Sequence, residues 1–113
     1  MSNQFIYSVI VSLHKSVPQS TFDYACNKIQ KLEEGQIVKV PFGKKAAWGV
    51  IEKLQEDRKD IQIKQIIKVF DGYILSGYLM RFINWVAEWN FTSKGSVLKL
   101  VLSNIDIIEK ENK

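Results

Sequence analysis

The sequence predicts an α+β domain, a small and strongly bent β-sheet or open barrel of short strands followed by two C-terminal helices. Three observations carry that expectation. Apolar and polar residues alternate in short runs between Phe5 and Phe70. Glycine, proline and charged clusters interrupt those runs at the spacing of hairpins. From Ser76 onward the apolar period lengthens to three or four residues, as on a helix.

The elements follow in order. Phe5 to Leu13 is rich in Ile, Val and Tyr and reads as a strand. Pro18, in the loop Ser16 to Ser20, stops any continuation of a ladder. Thr21 to Tyr24 is a short extended piece, and Lys31 to Gly35 a charged turn. Gln36 to Phe42 sets Val38, Val40 and Phe42 on one face against Ile37, Lys39 and Pro41 on the other. Gly43-Lys44-Lys45 turns the chain into a second strand, Ala46 to Leu54, completing a hairpin. Gln55 to Asp60 is a charged tip, and Ile61 to Phe70 alternates as a further strand. Ser76 can cap a helix whose inward stripe is Leu79, Phe82, Ile83, Val86 and Trp89. A second helix starts at Ser93 and turns Val97, Leu98 and Val101 inward. Residues 1–103 form the domain, and 104–113, of mixed charge, reads as a tail or the start of a linker.

At 113 residues the chain suits one domain. No apolar run approaches the roughly 20 residues of a membrane span, and the first residues lack the pattern of a signal peptide, so a cytoplasmic location is expected. The single cysteine, Cys26, excludes an intrachain disulfide. It reads as a small residue at a strand end, because the only histidine, His14, shows no partner role for a nucleophile. Too few soft ligands exist to close a zinc shell. Net charge is +4, which favours an anionic partner. Residues 1–50 concentrate that excess, with Lys15, Lys28, Lys31, Lys39, Lys44 and Lys45 against Asp23, Glu33 and Glu34.

Nothing in the sequence supports catalysis: there is no G-x-x-x-x-G-K-[ST], H-E-x-x-H or G-x-S-x-G. Binding has better candidates. Phe22 is either a core residue of a strand or a platform on which a base stacks, worth roughly 1–3 kcal/mol per base. Asp23 is either a turn carboxylate or an acceptor for a base donor or a terminal sugar hydroxyl. Gly43 permits a tight turn or close approach of a ligand to backbone. Lys64 is a solvated face residue or a cation aimed at a phosphate, and Lys44 and Lys45 are possible phosphate contacts.

These residues sit in a recognisable frame. Val17-Pro18-Gln19-Ser20-Thr21-Phe22-Asp23-Tyr24, then Gly35, Val38-Lys39-Val40-Pro41-Phe42-Gly43 and Gly49-Val50-Ile51 resemble the N-terminal 3′ DNA-binding domain of the primosomal protein N′ (PriA) family of replication-restart helicases. The likeness continues through Lys64 to Asp71, Trp85 to Trp89 and Gly95-Ser96-Val97-Leu98, and covers about residues 5–103. It implies a pocket for the 3′-terminal nucleotide of a nascent strand at a stalled or branched fork. Carried over by position, Phe22 and Gly43 abut that nucleotide, Asp23 accepts from the base edge or the 3′-OH, and Lys64 reaches the terminal sugar or its phosphate. The sequence departs from the family at Asn90-Phe91, at Ser93 and at Ser103, the last two standing where proline is usual. ATP and zinc belong to other parts of such helicases, so the expectation for this chain is no cofactor and no membrane partner. Its expected partners are DNA with a free 3′-OH, the remaining helicase domains and other primosome proteins. Two other readings remain open: a protein-interaction module using the aromatic helix Leu79 to Trp89, and a general single-stranded DNA binder.

Overall fold

The structure is a computed structural model, and it describes residues 5–12, 20–26, 31–55, 63–90 and 92–103. His14, Pro18, the charged tip beyond Gln55, Phe91 and the tail from Asn104 lie outside the described residues. Five strands come first: β1 (Phe5–Val11), β2 (Thr21–Cys26), β3 (Gln36–Phe42), β4 (Lys45–Gln55) and β5 (Lys68–Ile74). The helices α1 (Gly77–Trp89) and α2 (Lys94–Leu102) follow. The strands make one antiparallel sheet in the order β2-β1-β4-β3-β5, so the fold is the expected α+β one.

Alternation along the strands sorts side chains into two cores. Tyr7, Val9, Val11, Tyr24, Cys26, Val38, Val40 and Ile51 fill the concave side of the sheet. Ile10, Ile37, Val50 and Phe70 fill the opposite side, under Met80, Ile83, Leu98 and Leu102 of the helices. β1 is buried almost throughout because it contributes to both. Cys26, the last residue of β2, is one of the concave core residues.

The sheet curls strongly. Between Ser8 and Val9 the β1–β4 register slips, leaving Glu52 as an extra residue, and such a bulge increases local twist. Glu52 is held by Ser8 Oγ at 3.0 Å and by Lys94 Nζ of α2 at 2.7 Å. The curl brings edge strand β2 round toward β3, and residues 64–67 bridge the gap. The Ala25 N–H donates to the Lys64 carbonyl, the Ile66 N–H to the Ala25 carbonyl, and the Ile67 N–H to the Lys39 carbonyl.

That bridge corrects the strand expected over Ile61 to Phe70. Residues 64–67 divide their backbone bonds between β2 and β3, so they cannot run as one ladder; pairing with β3 begins at Lys68 and extends to Ile74. The register slips between Gln36 and Val38, and the buried Gln36 amide donates to the carbonyls of Phe70 (2.8 Å) and Ile37 (3.1 Å) there.

Ser76 caps α1 by accepting from the Leu79 N–H, and Ser93 caps α2 by accepting from the Ser96 N–H, both as expected. Val97 and Leu98 are buried in α2, together with Leu102. The inward stripe of α1 differs from expectation. Met80, Ile83 and Ala87 are buried, with Leu79 and Val86 packed beside them, whereas Phe82 (42% exposed) and Trp89 (68%) face outward. The helix is apolar over most of its circumference, so periodicity does not select one stripe; the arc covered by the sheet and α2 does.

Candidate nucleic-acid interface

Phe22, Asp23, Gly43 and Lys64 line one cavity of about 330 Å³, together with Tyr24, Pro41, Phe42 and Ile63. It opens where β2, the β3–β4 turn and the bridging segment meet. Each wall has a local cause. The Phe22 ring lies on the concave face of β2, half-buried, with its centroid 5.4 Å from that of Phe42 in an edge-on contact. The Tyr24 hydroxyl donates to the Pro41 carbonyl at 2.8 Å and ties β2 to β3. Burial pushes the Tyr24 phenol above its ordinary pKa. The bonds between Ala25 and the Lys64–Ile66 segment hold exposed Lys64 beside β2.

Asp23 lies within β2, opposite Ser8, and not in a turn. It is half-buried, and the Gln55 amide nitrogen approaches its carboxylate at 3.5 Å from the end of β4. Gly43 has a φ of 62°, a left-handed conformation that favours glycine, and an added Cβ would meet no protein atom within 4 Å. Turn geometry therefore explains the glycine, and its bare backbone is left open beside the cavity. Lys44 and Lys45 are exposed at the turn and are not among the lining residues.

The arrangement offers an aromatic ring, a carboxylate acceptor, uncovered backbone and a cation around one hollow. That set suits a nucleotide: a flat base, a donor group and a phosphate. A second cavity, about 320 Å³, lies among Ser20, Thr21, Asn84, Glu88, Thr92 and Lys94. Its cation, Lys94, is ion-paired with Glu52, and the neighbouring Gly95 N–H is bonded to Ser20 Oγ. Size does not separate the two hollows; their chemistry does. The sequence reading did not include Gln55 or Ile63 in the site. Neither carries a local signal: Gln55 approaches Asp23 from β4 across β1, and Ile63 arrives with the bridging segment.

Comparison with known proteins identifies the family. The 3′DNA-binding domain (3′BD) family of PriA matches residues 8–103. The chain is also similar to the replication restart protein PriA of Rickettsia conorii, 29% identical over 106 residues that make up 93% of this chain and 16% of that protein. The chain thus spans less than a fifth of the length of that relative. No described helix is long and apolar enough to cross a membrane. With the match covering both walls of the cavity and both helices, this chain belongs to the PriA 3′ DNA-binding domain family.

Proposed function

We propose that this domain binds the 3′-terminal nucleotide of a DNA strand, in the cavity between β2 and the β3–β4 turn. The observation that carries the reading is the convergence of Phe22, Asp23, Gly43 and Lys64 on a single hollow. The base rests against Phe22, the Gly43 backbone admits the sugar, Asp23 accepts from the 3′-OH or a base donor, and Lys64 faces the phosphate. An internal phosphodiester offers no such hydroxyl donor, and its charge is repelled by the carboxylate. The domain serves as a non-catalytic DNA-binding module of a replication-restart helicase, recognising nascent 3′ ends at stalled or branched forks. ATP hydrolysis and zinc binding belong to the rest of such a protein, and its remaining domains and other primosome proteins are the further partners.

Fluorescence titration with 3′-hydroxyl, 3′-phosphate, 5′-ended and circular single strands tests this. Tightest binding to the free 3′-hydroxyl is expected, with a shallow log–log salt slope of about −1 to −2 for two or three phosphates. Asp23→Ala should remove the preference and leave the fold intact. Equal affinity for 3′-hydroxyl and 3′-phosphate strands would sink end recognition, and equal affinity for circular strands would mark a general single-strand binder.

A second reading concerns α1. Tyr78, Phe82, Trp85 and Trp89 recur at helical spacing on its surface, and each is exposed, Tyr78 by 71% and Trp85 by 57%. Such a row suits contact with another protein domain of a longer helicase. It predicts docking that Trp85→Ser with Trp89→Ser removes while DNA titrations stay unchanged.

A further inference from the structure

Among the described residues that line the cavity, only Asp23 and Lys64 are charged, and their formal charges cancel. A single strand carries a phosphate at every link, so the attraction that holds it must come from cations just outside the lining. Two exposed lysines, Lys44 and Lys45, follow the lining residue Gly43 directly in the chain. In the sequence they are equivalent; in the structure they are not.

Gly43 and Lys44 form a two-residue turn between β3 and β4, and Phe42 and Lys45 close it as a directly opposed pair. Opposed residues of an antiparallel pair put their side chains on one face, with Cβ atoms about 4.5–5.5 Å apart. Phe42 lines the cavity and packs on the concave core, edge-on to Phe22. Lys45 therefore stands on the cavity's own side of the hairpin, beside the Phe42 ring. Alternation continues that face to Ala47, which packs on the same core. Lys45 is exposed, and among the described residues it has no ion-pair or ring partner. Lys44, a central residue of the turn, has no opposed partner and belongs to neither face of the ladder.

Lys64 belongs to a different wall, where its carbonyl accepts from the Ala25 N–H of β2. The two cations thus stand on separate sides of the hollow, one beside β2 and one beside the β3–β4 turn. A strand whose last nucleotide fills the cavity presents one phosphate on that nucleotide, which Lys64 faces, and the next phosphate one nucleotide further 5′. We propose that Lys45 holds this next phosphate, so that the strand leaves the cavity over the Phe42–Lys45 pair on the concave side of the hairpin, and that Lys44 holds none. A flexible four-carbon stem with three rotatable donors suits a phosphate on a mobile single strand. The proposal rests on the terminal-nucleotide reading of the cavity, and it adds the path of the strand beyond it.

The test measures affinity and salt dependence for a dinucleotide and a trinucleotide, each with a free 3′-OH and a free 5′-OH. The dinucleotide carries one phosphate and reports the cavity; the trinucleotide adds the phosphate assigned to Lys45. In Lys45→Gln the gain from the third nucleotide should shrink, and the trinucleotide's salt slope should flatten by about 0.7, the value of one phosphate on a single strand. Raising salt from 50 to 200 mM should then weaken the parent's trinucleotide complex about 2.6-fold more than the variant's. Lys45→Arg should keep the gain, and Lys44→Gln should keep both gain and slope. The proposal is overturned if Lys45→Gln retains the parent's gain and slope, or if Lys44→Gln loses as much as Lys45→Gln, which would mark diffuse attraction. It is also overturned if the parent gains nothing from the third nucleotide, or if Lys45→Gln weakens both strands equally. If the dinucleotide fails to bind while the trinucleotide's slope still depends on Lys45, the phosphate contact stands and the cavity reading falls; if neither strand binds, both fall.

Discussion

The hydroxyl of Tyr24 donates a 2.8 Å hydrogen bond to the carbonyl of Pro41. Two intervening strands, β1 and β4, separate their strands in the sheet order, so the bond exists only because the sheet curls back on itself. It makes the Thr21–Tyr24 segment and the Pro41–Gly43 turn into two walls of one cavity.

Tyr24→Phe leaves the Pro41 carbonyl without this donor and keeps the ring in the concave core. A loss of about 1 kcal/mol in urea unfolding is expected, the net worth of a typical hydrogen bond. Oligonucleotide affinity should fall as well, because the walls are no longer tied. Unchanged affinity alongside lower stability would show that the bond supports the fold without shaping the cavity.

At Gly43 the left-handed φ of 62° penalises any side chain, although space for a Cβ is open. Gly43→Ala should cost about 1–2 kcal/mol of stability. Gly43→Asn should be no more strained than alanine, because asparagine tolerates the left-handed conformation, but should obstruct the cavity mouth. Comparing the melting temperatures of the two variants with their titrations separates turn strain from obstruction: binding, more than stability, should distinguish asparagine from alanine.

Gly95 allows α2 to touch the end of β1. A Cβ there would lie 2.1 Å from the Val11 carbonyl oxygen and 2.8 Å from Ser20 Cβ, and the Gly95 N–H donates to Ser20 Oγ at 2.9 Å. Alanine ordinarily stabilises a helix by about 1 kcal/mol relative to glycine. Here Gly95→Ala should instead destabilise by roughly 1–3 kcal/mol, because backbone on both sides must move. A urea midpoint at or above the parent's would contradict the close packing.

Alkaline pH should weaken the fold. Burial raises the phenol pKa of both Tyr7 and Tyr24, with the Leu32 N–H partly offsetting the effect at Tyr7. In the unfolded chain each phenol ionises near 10. The unfolded state therefore releases its protons first: the contribution is complete below about pH 10 and is lost as pH climbs through the raised folded values. Urea midpoints from pH 8 upward should decline above about 10, and Tyr24→Phe should flatten part of that decline.

Much of this protein was legible in its sequence because the relevant interactions are local. Strand β3 follows from its two-residue period, and the starts of α1 and α2 from Ser76 and Ser93, whose side chains bond N–H groups three residues on. Phe22, Asp23, Gly43 and Lys64 could be singled out by residue type and by order within a family pattern. Three matters were decided only in three dimensions. The arc of α1 that is covered depends on the sheet and α2, so Phe82 and Trp89 lie outside although their spacing suits a core. Residues 64–67 bridge two strands because Ala25 and Lys39 are both within reach, which no alternation encodes. The cavity itself arises from the curl that carries β2 round to β3, a consequence of twist and of burying two cores at once, and so its walls come from segments that are far apart in the chain.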